Sequence, residues 1–167
     1  YKRVPTSCLP IGVILTIAAA GSEMSNSSVI TKDDNGIKRG YSSDYSSPKF
    51  AIMNPELTMT LPDYQTSCGT VDILMHTMER YFTKEGTSSL TDSLAESLLK
   101  TVMHYGKILV TEPNNYEARA ETMWAGSLSH NGLMSCGAKD GGDWSTHKLE
   151  HELSGMYDVA HGAGLAA

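Results

Sequence analysis

Apolar residues come in short dense runs before Pro55 and at helical intervals after it. Between 11 and 20, Ile11, Val13, Ile14, Leu15 and Ile17 predict a strand buried on both faces, of the kind that builds α/β sheets. Gly21-Ser22-Glu23 then signals a turn. Ser28 to Lys32 and Ile37 to Tyr41 flank Asp33-Asp34-Asn35-Gly36, and an Asn-Gly step between β-branched runs predicts a hairpin. The Ser-rich stretch 42–47 reads as a loop, and Lys49 to Met53 as a third short strand closed by Asn54-Pro55.

Beyond Pro55 the period lengthens. Over 66–83, Val71, Leu74, Met75 and Met78 share one helical face, with Glu79 and Arg80 expected outside. Over 89–110 the apolar row runs through Leu90, Leu94, Leu98, Val102 and Tyr105. Glu112-Pro113-Asn114-Asn115 breaks the chain, and 116–135 resumes a helix through Ala120, Met123, Trp124 and Leu128. A Gly- and Asp-rich loop, 137–144, precedes a helix at 145–157 whose expected cap is Ser145 or Thr146. The fold class is therefore α/β followed by all-α. The boundary falls near Asn54-Pro55, dividing the chain into 1–54 and 55–167. No internal repeat is visible.

Composition narrows the function classes. The 167 residues carry 13 Lys+Arg against 19 Asp+Glu, a net charge of −6, with no basic stretch to hold nucleic acid. The run 11–20 contains Gly12 and Thr16 and is far too short to span a membrane. It is not framed as a signal peptide either. Three cysteines, Cys8, Cys68 and Cys136, form no close pair, which favours a reducing, cytoplasmic setting. A chain opening on Tyr1, Lys2 and Arg3 and ending in Gly164-Leu165-Ala166-Ala167 reads as an internal fragment of a longer protein, since an apolar end needs cover.

Candidate chemistry concentrates in histidines. Asp72 and His76 lie one helical turn apart, as do His147 and His151, and His161 follows before Gly162. Imidazoles with one carboxylate make a borderline site suited to Fe(II) or Zn(II). A rival uses the same letters: His147-Lys148-Leu149-Glu150-His151 matches H-x-x-E-H, in which both histidines bind zinc and Glu150 is the general base of a hydrolase. A third possibility is a non-catalytic helical remnant with structural histidines. His104 and His130 have no such company and read as structural.

Four stretches in order carry a family likeness: Leu15-Thr16-Ile17-Ala18-Ala19-Ala20-Gly21-Ser22-Glu23, Asn54-Pro55-Glu56-Leu57-Thr58, Gly69-Thr70-Val71-Asp72 to His76, and His147 to His151 through His161-Gly162. Together they resemble the iron-containing (group III) alcohol dehydrogenases, especially the butanol dehydrogenase and aldehyde reductase branch. The resemblance implies the end of a Rossmann-like nucleotide-binding domain followed by a helical metal domain, as in dehydroquinate synthase. It implies reversible oxidation of a small primary alcohol to its aldehyde with NAD or NADP, in a protein that forms a homodimer. It carries the metal ligands onto Asp72, His76, His147 and His161, where spacing alone would choose His151 over His161. His151 then matches a histidine lining the cleft near the nicotinamide and substrate. Thr16, Ile17, Ala18 and Ala20 match the strand end that contacts the cofactor, and Lys38 a lysine that contacts its ribose.

Departures are visible too. The family's cofactor strand usually reads Thr-Thr-Ala-Gly-Thr, so Ile17, Ala19 and Ala20 remove hydroxyls. Asn54-Pro55 stands where Asp-Pro is common, and the Gly-Gly-Gly-Ser pyrophosphate loop does not occur in this chain.

Overall fold

The computed structural model describes residues 5–83, 88–138 and 141–167. The reading of Tyr1, Lys2 and Arg3, and Lys139 and Asp140 of the loop 137–144, lie outside the described residues.

Among the described residues, two small sheets form before Pro55. Strand β1 (Gly12–Ile14) pairs in parallel with β4 (Phe50–Ile52), with Val13 opposite Ala51. Strands β2 (Ser27–Lys32) and β3 (Ile37–Ser42) form the expected hairpin, closed by Lys32 opposite Ile37. Gly36 makes its turn with φ of 68°, a left-handed conformation that glycine adopts without steric cost.

The apolar run 11–20 does not form one long buried strand. It pairs only over Gly12–Ile14, and Leu15 donates a last hydrogen bond to the Ile52 carbonyl at 3.0 Å. The remainder becomes a loop pressed between helices, where its apolar side chains find cover that this short sheet does not offer. Ile14 and Phe50 are 61% and 62% exposed, so β1 and β4 are not buried on both faces.

Among the described residues five α-helices follow: α1 (Asp63–Tyr81), α2 (Ser89–Thr111), α3 (Tyr116–His130), α4 (Ser145–Tyr157) and α5 (His161–Ala166). Helix α1 is central and touches the other four. Its Ile73 packs with Ala95, Leu98 and Val102 of α2, Ala125 of α3, and Met134. Helix α3 starts on Asn115, whose side chain accepts from the Ala118 N–H at 3.0 Å. It ends earlier than its apolar row suggests, because Gly132 turns left-handed (φ 95°) and starts a 3₁₀ turn at Leu133–Ser135.

Two further expectations are corrected. Helix α4 has no Ser145 or Thr146 cap. Trp144 takes the cap position in a left-handed conformation (φ 60°), while the Ser145 hydroxyl donates to Asp143. On α1 the expected inner row is not the most buried: Glu79 and Arg80 are buried along with Ile73, whereas Val71, Leu74, Met75 and Met78 are only half-buried. The reason is the site described below, which needs polar groups inside.

The hairpin docks on α4 backbone to backbone. A Cβ at Gly36 would lie 2.4 Å from the Gly155 carbonyl oxygen, and one at Gly155 equally near that of Gly36. No described helix is long and apolar enough to cross a membrane. All three cysteines are unpaired.

Candidate metal centre

Three helices bring the chemistry together. On α1, the i, i+4 spacing aims Asp72 and His76 into the interior, both nearly inaccessible. His147 enters from the first turn of α4, and His161 opens α5. Helix α5 reaches this position because Gly162 lies directly on α1. A Cβ there would sit 2.1 Å from the Cys68 carbonyl oxygen.

Donor atoms of Asp72, His147 and His161 lie within 4.8 Å of one another, a grouping able to hold a metal ion. Asp72 Oδ1 is its focus, 3.4 Å from His147 Nε2 and 3.7 Å from His161 Nε2. His76 stands beside this group with its ring stacked 4.6 Å from that of His147. Its Nδ1 lies 3.6 Å from Asp72 Oδ1, buried and without a hydrogen-bond partner. A buried nitrogen lone pair beside a carboxylate is the kind of orphan a divalent cation satisfies, so the residues fit such an ion.

Electrostatics prepare the nitrogens differently. Burial first, then the nearby His130, His147 and Arg80, push the His76 pKa far down and keep it neutral. Burial also opposes charge on His147. Its hydrogen bonds to Asp72 and Glu79 outweigh that and push its pKa up to about 9. Burial disfavours the Glu79 carboxylate as well, but the His147 hydrogen bond and charge hold its pKa below the ordinary value.

One wall is built around Arg80, whose pKa burial lowers to about 10. Its guanidinium donates to the His76 carbonyl at 2.7 Å and to Ser135 Oγ at 2.8 Å, and lies 4.3 Å over the Trp144 ring. His130, expected to stand apart, has its ring 4.2 Å from His76, Nδ1 3.0 Å from Arg80 and Nε2 3.1 Å from Ser27 Oγ. Burial and Arg80 lower its pKa to about 3.

His151 is half-buried, its ring 5.7 Å from His161 and 6.4 Å from His147. Its donor atoms group with Glu150 and His161, not with Asp72 and His147. Burial first, then Lys38, lowers its pKa. The hydrolase reading fails on Glu150: at 1% exposure, held by Lys38 and His161, it has no access to a water it could activate.

Thr16, Ile17, Ala18 and Ala20 lie in the loop beyond the carboxyl end of parallel strand β1, where open α/β sheets bind ligands. Gly69 of α1 supports this loop closely, since a Cβ there would lie 2.2 Å from the Ala18 carbonyl oxygen. Lys38 on β3 donates to Ser154 Oγ at 2.8 Å and to Glu150 Oε2 at 3.4 Å.

The apolar row of α1 puts Glu79 outside, although one signal in the sequence points inward. Asp72, His76 and Glu79 stand at i, i+4 and i+7, and so share a face.

Comparison with known proteins supplies the remaining context. Residues 66–167 match the profile of the Fe-containing alcohol dehydrogenase family, C-terminal part, and residues 1–55 that of iron-containing alcohol dehydrogenase. NADH-dependent butanol dehydrogenase A of Clostridium acetobutylicum is 47% identical over 161 residues, covering 96% of this chain and 41% of that protein. The NADPH-dependent aldehyde reductase YqhD of Escherichia coli is 39% identical over 160 residues, again 96% and 41%. The crystal structure of NADH-dependent butanol dehydrogenase A from Thermotoga maritima superposes with a TM-score of 0.93 at 41% identity, covering 96% of this chain and 40% of that one. The chain thus spans about two fifths of the length of these relatives.

Proposed function

Because the chain belongs to the iron-containing alcohol dehydrogenase family, we propose that the protein carrying it interconverts a small primary alcohol, such as butanol, and its aldehyde with NAD or NADP. Asp72, His76, His147 and His161 would hold a divalent metal, Fe(II) or Zn(II). The observation that carries this reading is the convergence of His147 and His161 on the buried Asp72 carboxylate, with the orphaned His76 Nδ1 beside it.

When bound, the metal supplies Lewis acidity toward the substrate oxygen and the nicotinamide accepts a hydride. The chain's own residues do the rest. The loop of Thr16, Ile17, Ala18 and Ala20 would receive the cofactor, and Lys38 would contact its ribose. The wall of Arg80, Trp144 and His130 keeps water from the buried face of the site. His151, half-exposed and neutral at neutral pH, takes the hydroxyl proton on an imidazole nitrogen and passes it to solvent. The alcohol thereby loses one hydride and one proton and leaves as aldehyde.

One family profile ends at residue 55 and the other begins at residue 66, which supports a division into a nucleotide-binding part, 1–54, and a metal-binding part, 55–167. The three free cysteines suit a cytoplasmic setting, and the working form would be a homodimer. The test is reduced-nicotinamide absorbance with butanol and butanal, beside metal analysis of wild type and Asp72→Asn. Turnover lost together with the metal is expected. Turnover that persists in Asp72→Asn without metal would refute the proposal.

A further inference from the structure

Two acidic side chains that bind no substrate in this scheme are buried against the histidines. Glu79 comes from α1 and Glu150 from α4, and they approach the site from different helices. Glu79 holds His147 at two points: Oε1 accepts the backbone N–H at 3.1 Å, and Oε2 meets ring Nδ1. The backbone bond also satisfies a donor in the first turn of α4, which has no side-chain cap of its own. Glu150 Oε2 meets Nδ1 of His161 and lies 3.4 Å from Lys38 Nζ, itself anchored on Ser154. Its Oε1 is buried without a partner, close under Gly164 of α5.

The two contacts share one logic. A ring whose Nδ1 donates to a carboxylate leaves Nε2 as the nitrogen with the free lone pair, in a fixed orientation. In both histidines that Nε2 is the atom that faces Asp72 Oδ1. The His151 ring, by contrast, makes no hydrogen bond among the described residues. Burying two carboxylates near Asp72 is costly unless each is matched. Glu150 is matched by Lys38 and Glu79 by the start of α4, which leaves Asp72 to face a cation.

We propose that Glu79 and Glu150 are positioning residues for the metal, fixing His147 and His161 through Nδ1 so that Nε2 of each meets the ion. Lys38 ties this constraint to the β2–β3 hairpin. The inference rests on the ligand set proposed above.

The experiment uses the protein carrying this chain, stripped of metal and titrated with Co(II) against a chromophoric chelator. Glu79→Ala and Glu150→Ala should bind one metal about 10–100-fold more weakly, with a shifted Co(II) visible band. Glu79→Gln and Glu150→Gln should regain part of that loss, because an amide oxygen still accepts from Nδ1–H. These conservative variants decide the matter if an alanine variant does not fold. Unchanged affinity and an unchanged band in all four would overturn the proposal. So would loss of the binding site in Glu150→Gln as complete as in His161→Ala, which would make Glu150 a ligand. If instead Asp72→Asn and His147→Ala bind as wild type, the ligand set itself falls, and this inference with it.

Discussion

Replacing Gly162 by alanine adds one methyl group at the seam between α5 and α1. The new Cβ would lie 2.1 Å from the Cys68 carbonyl oxygen, 2.5 Å from its carbon and 2.6 Å from Cys68 Cα. Ordinary contact begins near 3.4 Å, so the shortfall exceeds an ångström, and every obstacle is backbone of a central helix. No side chain can swing aside, and the short helix α5 must lift. Overpacking of this kind costs about 1–3 kcal/mol. The larger effect falls on His161, the adjacent residue, because a working site needs its groups held within about 0.5 Å. In the protein carrying this chain, Gly162→Ala should lower the urea midpoint and weaken metal binding as severely as His161→Ala does. Chelator competition and urea unfolding measure both. Gly40→Ala is the control, since a Cβ at Gly40 meets nothing within 4 Å, and its stability should stay within about 0.5 kcal/mol of wild type. Wild-type metal affinity and midpoint in Gly162→Ala would refute the reasoning.

Other consequences are as direct. His151→Ala should keep the metal while kcat falls about 10²–10⁴-fold, and an unchanged kcat and pH profile would reduce His151 to a packing residue. In metal-free protein the pKa of His147 is raised to about 9, so its contribution to stability is complete below about 6.5 and disappears as pH rises through 9. Metal must displace that proton, so chelator competition should show affinity climbing with pH up to about 9; a flat profile over that window would refute the assignment. The 167 residues expressed alone should show no cofactor-linked alcohol oxidation, because they hold no Gly-Gly-Gly-Ser loop and leave Ile14 and Phe50 uncovered. A cooperative unfolding transition together with turnover would overturn that expectation.

Local signals were readable where local chemistry decides the outcome. The hairpin followed from Asp33-Asp34-Asn35-Gly36, and α2 from its apolar row. The loop after Leu15 was not readable, because the sequence does not say whether an apolar run finds cover in a sheet or between α1 and α3. The inward turn of Glu79 and Arg80 was hidden for a similar reason: their partners, His147 and His130, lie 68 and 50 residues away. Spacing alone favoured His151 beside His147, whereas the contact that brings His161 to Asp72 depends on the Gly162 seam. The left-handed Trp144 gave no sign in sequence, since bulky residues rarely adopt that conformation.

The glycine-on-glycine contact between the hairpin and α4 bears on how this chain can vary. At Gly36 and Gly155 the obstacle to any side chain is the partner's carbonyl, which no substitution can trim. A change at one position therefore has no compensating change at the other, and the usual two-step route through a repaired neighbour is closed. The seam that carries Lys38 to Glu150 is open to variation in its side chains but not in its backbone approach.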